Sequence, residues 1–374
     1  MLVHGLSLVN YRNYKNTHIG FHPGLNILIG GNAQGKTNIL EAIFYAATGK
    51  SHRTNHDNEM ILWGEQAFRI FLEGERVYGC FQIEFVVRSD GKKILKVNNQ
   101  SRKKLSELFG TVNVVMFSPE DMMLVKGGPA VRRRFMDIEI SQTSPFYCHS
   151  LLNYARVLTQ RNNLLRAVRE QKESPDLLDV WDLQMAEYGS GIIKKRGEAL
   201  KKLAPLAKSI HSEITEGAEE LNICYIPSIS FQGGGAECSP VEFFFKKLKE
   251  HRNADMIKGA TGLGPHRDDI EIRIGDTITR SFGSQGQQRT CALSLKLAEL
   301  EFMRAETGEY PVLLLDDVMS ELDADRRKYL LQVVRGRVQA FVTATEIGEL
   351  LLSNARNCRI FEVNNGKIDL KQEG

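Results

Sequence analysis

Two stretches of the 374-residue chain carry the residue types that chemistry on a phosphate needs. Gly30 to Thr37 reads G-G-N-A-Q-G-K-T, directly after the apolar run Leu25 to Ile29 and before the helically spaced Asn38 to Tyr45. This is the G-x-x-x-x-G-K-T phosphate-loop pattern in the strand–loop–helix setting it requires. Glycines let the backbone turn its N–H groups toward phosphate oxygens, and the following helix adds its positive end. Gly30, Gly31, Asn32, Ala33, Gln34, Gly35, Lys36, Thr37 and Asn38 are the expected ATP-binding residues. Lys36 is expected at the β- and γ-phosphates, and Thr37 offers a hydroxyl to Mg²⁺.

The second stretch is Pro311 to Asp317, where the apolar residues Val312 to Leu315 end in Asp316 and Asp317. It reads as a buried strand with carboxylates at its tip. Asp316 is expected to hold Mg²⁺ through water and Asp317 to orient or deprotonate the attacking water. The catalytic set is thus Lys36, Asp316 and Asp317, and the metal set is Thr37 and Asp316. Ser320 to Asp323 follows as a short loop, with Ser320 and Asp323 as its candidate residues.

A third stretch, Gly283 to Gln287, resembles the L-S-G-G-Q signature of ATP-binding-cassette ATPases, with Ser284, Gly286 and Gln287 in matching places. In that superfamily the signature caps the γ-phosphate bound by the other subunit, so the resemblance implies a site completed when two copies meet head to tail. A Ser/Gly helix start alone is an ordinary cap. Its place before Asp316 and after a phosphate loop gives it the functional reading.

The whole chain resembles the RecF family of bacterial recombination mediators. The carriers are N-Y-R-N-Y (Asn10 to Tyr14), the phosphate loop and its continuation to Ile43, S-P-E-D-x-x-L-V-K-G-G-P-x-x-R-R-x-F-x-D (Ser118 to Asp137), G-P-H-R-D-D (Gly264 to Asp269), S-Q-G-Q-Q-R (Ser284 to Arg289) and L-L-L-D-D-V-x-S-E-L-D (Leu313 to Asp323). The resemblance implies an ATP-dependent homodimer, binding to double-stranded DNA near single-stranded gaps, and help in loading RecA with RecO and RecR. It also implies that Arg12 and Asn13, at the end of the first strand, lie over the nucleotide. Two positions depart from transporter cassettes. Asp317 stands where they carry Glu, so hydrolysis is expected to be slow. No histidine follows the strand at Ala340, so Thr343 or Thr345 is the candidate γ-phosphate sensor.

The elements that must position these residues read as α/β. The expected fold is an ABC-type, SMC-like P-loop ATPase head with an inserted, mainly helical lobe and no long coiled coil. Residues 1–117 and 258–374 form the head and 118–257 the lobe in this reading. Short strands are expected within 1–30 and a β-meander over 67–98, with Ser89-Asp90-Gly91 as a hairpin turn. Two helices of about forty residues each are expected from Pro129 to Arg169 and Leu177 to Glu216, by their periodicity. A loop is expected at Gly233 to Gly235, short strands at 270–274 and 277–279, a helix from Gln287, strands at 312–315 and 340–343, and a hairpin over 359–370.

Net charge is +3, which neither demands nor excludes nucleic acid, so DNA contacts must come from local basic runs. The runs favoured are Arg102, Lys103 and Lys104, and Lys194, Lys195 and Arg196 with Lys201 and Lys202. Single-stranded DNA is a further expected partner. Arg132 to Arg134, inside the family motif, are expected to serve the nucleotide or the lobe. His266 and Arg267 read either as a structural turn or as part of the nucleotide or dimer interface. Trp63 and Trp181 are expected in the core. The six cysteines form no C-x-x-C pair, which suits a reducing cytosol. The first residues turn polar too early for a signal peptide, and no apolar run is long enough to span a membrane, so a cytoplasmic protein is expected. A transporter motor leaves G-P-H-R-D-D unexplained, an SMC scaffold lacks its coiled coil, and a small-molecule phosphotransferase leaves the signature unexplained.

Overall fold

The computed structural model describes residues 1–231, 238–346 and 358–373. The loop expected at 233–235 lies outside them. The chain divides into two units, Met1–Asp121 with Lys296–Gly374, and Met122–Leu295.

The first unit is the α/β head, built from two six-stranded sheets. One has the order Lys367–Glu373, Cys358–Asn364, Leu25–Ile29, Ala340–Ala344, Val312–Leu315, Val114–Phe117. All its neighbours are parallel except the final hairpin. Val312–Leu315 and Val114–Phe117 are buried at every position, as strands covered on both faces are. The other sheet is antiparallel, in the order Tyr14–Gly20, Leu2–Tyr11, Ala67–Arg76, Gly79–Arg88, Lys93–Val97, Gln100–Arg102, and burial alternates along Ala67–Arg76 and Gly79–Arg88. The expected meander is present. The helix Lys36–Thr48 meets strands of both sheets and is buried from Ile39 onward. A helix buried on every side fits such a place, its one buried carboxylate being Glu41. Its Tyr45 ring packs edge-on against Phe68 and Phe85.

The second unit is mainly helical: Pro129–Thr143, Pro145–Arg169, Leu178–Ile214 and Pro240–Lys258, with a three-stranded sheet of Leu221–Ile226, Asp269–Ile274 and Thr277–Ile278. Three expectations are corrected here. The first long helix is two, because Ser144 leaves the helical region and caps Pro145–Arg169 through the Tyr147 N–H, with Pro145 at the first helical position. The lobe does not end at 257. Asp269–Ile274 pairs along its length with Leu221–Ile226, which ties G-P-H-R-D-D into the lobe. The division falls at 295/296, within the helix Gln285–Thr307, so the signature stretch belongs to the lobe. Trp63 is also not a core residue: it is 97% exposed, while Trp181 is half-buried.

Candidate nucleotide-binding site

The strand Leu25–Ile29 delivers Gly30, and the loop closes into the helix at Lys36. Gly35 sits at φ 118°, and a Cβ there would lie 2.7 Å from the Asn13 side chain. Glycine is what allows the loop to turn under that residue. The loop is held from outside by two other segments. Asn13 Nδ2 donates to the Gln34 carbonyl at 2.9 Å, and Tyr14 donates to the Gly35 carbonyl at 3.0 Å. From the closing hairpin, the Asn365 N–H reaches Gln34 Oε1 at 2.7 Å and the Gly366 N–H reaches the Gln34 carbonyl at 3.1 Å.

Lys36 Nζ donates to the carbonyls of Gly30 and Gly31 at 2.6 and 2.7 Å. Burial lowers its pKa, while Asp317 and Asp316 pull the other way. Thr37 Oγ1 donates to Asp316 Oδ1 at 2.8 Å, joining positions 279 residues apart. Burial pushes the Asp316 carboxyl above the usual carboxylate range, although it accepts from Thr37 and Thr343. Asp317 adopts φ 52°, and Ser320 Oγ bonds its carbonyl at 2.7 Å and its Oδ1 at 3.1 Å. Asp323 caps Ala324–Val334 by accepting the Arg326 N–H. The hydroxyl of Thr37 and the carboxylate of Asp316 are hard oxygen donors side by side, which fits Mg²⁺. A single carboxylate leaves coordination positions for phosphate and water.

Arg12 is engaged with the helix that follows the loop. Its Nε and Nη2 donate to the two oxygens of Glu41 at 2.9 and 2.6 Å, and its Nη1 donates to the Glu59 carbonyl at 2.8 Å. Burial alone would raise the Glu41 carboxyl, but Arg12 and the Ser51 hydroxyl outweigh it and hold it below the usual range. Arg53 Nη1 donates to Asn38 Oδ1 at 3.0 Å. Of the two candidate sensors, Thr343 is buried against Asp316 and Thr345 is exposed. Asn13, expected beside Arg12 over the nucleotide, instead braces the loop, and Tyr14, Glu41, Arg53 and Asn365 had no expected role. Asn13 and Tyr14 lie in N-Y-R-N-Y and Glu41 in the extended loop motif, so their signal was present. Nothing in the sequence marks Asn365.

In the lobe, Ser284 and Gln287 form a reciprocal cap: the Gln287 N–H reaches Ser284 Oγ at 3.2 Å and the Ser284 N–H reaches Gln287 Oε1 at 2.8 Å. Gln287 also donates to Glu219 Oε1 at 2.9 Å. Ser284 and Gly286 are exposed. The Tyr154 hydroxyl bonds His266 Nδ1 at 2.7 Å, and His266 Nε2 lies 3.1 Å from the Thr261 carbonyl. Burial drops the His266 pKa to about 4, so the ring is a neutral structural member. Arg267 also donates to the Thr261 carbonyl. Both residues therefore have partners inside the lobe.

The basic runs separate. Lys103 and Lys104 are exposed, and Arg102 is half-buried and donates to Gln100 Oε1 at 3.0 Å. On the helix Leu178–Ile214, Lys194, Lys195, Lys201 and Lys202 are exposed, with Lys195 paired to Glu198. Arg196 is not available to DNA. Its side chain is 2% exposed and is ion-paired to Asp137 at 2.8 Å and Asp268 at 3.2 Å. One helical residue after Lys195, it points a different way around the axis. Arg132 is likewise buried, in a two-point pair with Asp269 at 2.7 and 2.9 Å, and Arg133 donates to the Asp268 carbonyl. These two serve the lobe.

Residues 2–369 match the family model described as RecF/RecN/SMC N terminal domain. The chain is 45% identical over 372 residues to the DNA replication and repair protein RecF of Clostridium tetani, covering 98% of this chain and 99% of that protein. It is 42% identical over 370 residues to the RecF of Bacillus cereus strain G9842, covering 99% and 98%. A solved structure of the recombination mediator protein RecF with ATP, in the RecFOR pathway, superposes with a TM-score of 0.91 at 37% identity, covering 99% of this chain and 98% of that one. An SMC head bound to the C-terminal winged-helix domain of ScpA shares the fold, with a TM-score of 0.58 at 15% identity. By sequence along its whole length and by fold, the chain belongs to the RecF family of DNA replication and repair proteins, on an SMC-like ATPase head.

Proposed function

We propose that this protein is an ATP-driven clamp on DNA that acts as a recombination mediator in the cytoplasm. The observation that carries the reading is the meeting of Thr37 and Asp316 at 2.8 Å beside Lys36. ATP phosphates sit in the loop Gly30–Asn38. Lys36 exchanges its carbonyl partners for the β- and γ-phosphate oxygens. Thr37 and Asp316 hold Mg²⁺, which supplies charge neutralisation on the phosphates when bound. Asp317 orients the attacking water, and its short side chain makes hydrolysis slow.

A second copy completes the site with its Ser284, Gly286 and Gln287, a helix start whose N–H groups favour an anion. Ser320 and Asp323 line the same dimer face. ATP binding therefore joins two copies, and hydrolysis separates them. Lys103, Lys104, Lys194, Lys195, Lys201 and Lys202 supply phosphate contacts for duplex DNA at single-strand gaps, without base readout. The structural relative named for the RecFOR pathway supports RecR and RecO as partners and RecA loading as the outcome.

The test is the mass in solution with ATP, with ADP and with no nucleotide, with and without gapped DNA. A dimer that forms only with ATP, and that Lys36→Met and Ser284→Arg both abolish, is the expected result. Mass and DNA affinity indifferent to nucleotide would overturn the reading.

A further inference from the structure

The head has a second concave site at the other ends of the strands that carry the nucleotide loop. Leu25–Ile29 and Ala340–Ala344 run parallel, and their C-terminal ends lead to Gly30 and to the Thr343–Asp316 contact. Their N-terminal ends open on a cavity of about 620 Å³. His22, Leu25, Tyr310, Val334, Arg335 and Arg337 are among its lining residues, and no carboxylate side chain lines it among the described residues.

The rim is cationic and its cations are uncommitted. Arg335 and Arg337 are exposed, and neither guanidinium has an ion pair or side-chain hydrogen bond among the described residues. His22 is fixed in place by its backbone. Its N–H reaches Asn26 Oδ1 at 2.8 Å, and its carbonyl accepts from Asn26 Nδ2 and Gln339 Nε2, each at 2.8 Å. Its ring Nδ1 accepts the Gly24 N–H at 2.9 Å, which puts the ring hydrogen on Nε2 as a further donor. The floor is apolar. Leu331, Val334 and Val338 are buried, and Leu25 packs on the cluster that holds Ile27 and Leu331.

This combination selects its ligand. An anion alone leaves the apolar floor wet. A nucleic-acid backbone presents charge without an apolar group to fill a cavity. A peptide that pairs carboxylates with an apolar side chain satisfies both parts, and the volume lies in the range of ordinary ligand pockets. We propose that this cavity docks a short acidic–apolar segment of a partner protein, its carboxylates on Arg335 and Arg337 and its apolar side chain against Leu25 and Val334. The proposal stands independently of the nucleotide reading.

The experiment selects a displayed library of random short peptides on the full chain and on the Arg335→Glu/Arg337→Glu double variant. Nucleotide binding and thermal melting of the variant control for its fold. Sequences that combine Asp or Glu with Leu, Ile or Phe are expected to enrich at least tenfold on the parent and not on the variant. A synthesised winner is expected to lose at least tenfold in affinity when its apolar residue becomes Ser. No such enrichment, enrichment that survives on the variant, or a variant whose sole loss is affinity for a short DNA duplex would each overturn it, the last showing a DNA phosphate face instead.

Discussion

Thr343 Oγ1 donates to Asp316 Oδ1 at 2.9 Å and accepts the Asp317 N–H at 2.8 Å. One buried hydroxyl on a neighbouring strand thus sets both acids at the tip of Val312–Leu315. Thr343→Val keeps the shape and removes both bonds, leaving the Asp317 N–H without that acceptor. ATP binding is expected to change by no more than a few fold. ATP turnover is expected to fall at least about tenfold, which corresponds to about 1.4 kcal/mol of transition-state stabilisation. The Mg²⁺ concentration for half-maximal rate is expected to rise, and Thr343→Ser to restore both. Turnover unchanged in the Val variant would show that the acids hold themselves.

The Arg12–Glu41 pair makes a stability prediction. Arg12→Met removes the two-point partner of the fully buried Glu41 carboxylate and leaves it only Arg53, 3.8 Å away, a loss of about 2 kcal/mol by urea unfolding. The pair also sets an acid response. Because Glu41 is held below its unfolded value, its contribution is complete above about pH 4.3 and is lost as pH falls through the lower folded value. Arg12→Met should lose that part of the acid sensitivity.

His266 acts in the same direction in a higher window. Its folded value of about 4 lies below the unfolded one, so the unfolded state binds the extra proton as pH falls. The contribution is complete above about pH 6.5 and declines from there to pH 4, costing about 2 kcal/mol at pH 5. Comparing urea unfolding of the parent and His266→Gln at pH 7.5 and pH 5 measures it. Equal pH dependence in the two proteins would show that the ring is not the group responsible.

Lys194 and Arg196 lie two residues apart with opposite expected behaviour. Lys194→Ala/Lys201→Ala should leave the melting temperature unchanged and weaken duplex binding. The slope of log affinity against log salt should shrink by about two. Arg196→Ala strands Asp268, which the Arg196 guanidinium, Tyr225 and the Ser228 N–H all address. It should cost about 3 kcal/mol of lobe stability. A stable, correctly melting Arg196→Ala that binds DNA poorly would reverse this assignment.

Gly366 tests the brace on the loop. It sits at φ 75°, and a Cβ there would lie 2.1 Å from the Asn13 carbonyl. Gly366→Ala must push the hairpin turn off Asn13 and Gln34. ATP affinity is expected to fall about tenfold, or about 1.4 kcal/mol, while the sheet hydrogen bonds persist. Unchanged affinity would show that the loop keeps its shape alone.

What was legible in the sequence was what is contiguous. Gly30–Thr37 and Leu313–Asp317 carry their own geometry in spacing and residue type, and the structure brings them together as expected. Leu25–Ile29, Val312–Leu315 and Ala340–Ala344 were legible as apolar runs of strands buried on both faces, whereas the equally buried Val114–Phe117 was not read as a strand. What escaped lies in pairings between distant segments. Gln34 with Asn365 and Arg12 with Glu41 leave no periodic trace. The run Lys194-Lys195-Arg196 reads as one patch, yet a helix turns successive residues by about 100°, so its last member is buried. The boundary at 257 failed because Asp269–Ile274 finds its partner strand in the lobe, which no local pattern announces.

Leu25–Ile29 lies between two strands that come more than 300 residues later, Ala340–Ala344 and Cys358–Asn364. Chain growth therefore makes the nucleotide loop early and supports it late. Until the ribosome reaches residue 340, the strand behind Gly30 has neither neighbour, and by then the whole of 122–295 has been made. The helical unit can settle during synthesis, whereas the head closes in one late, long-range step. Refolding in vitro should show the same order, with slow head closure governed by loop entropy. A nascent chain halted before residue 340 would display the phosphate-loop sequence and yet lack the sheet that makes it a site.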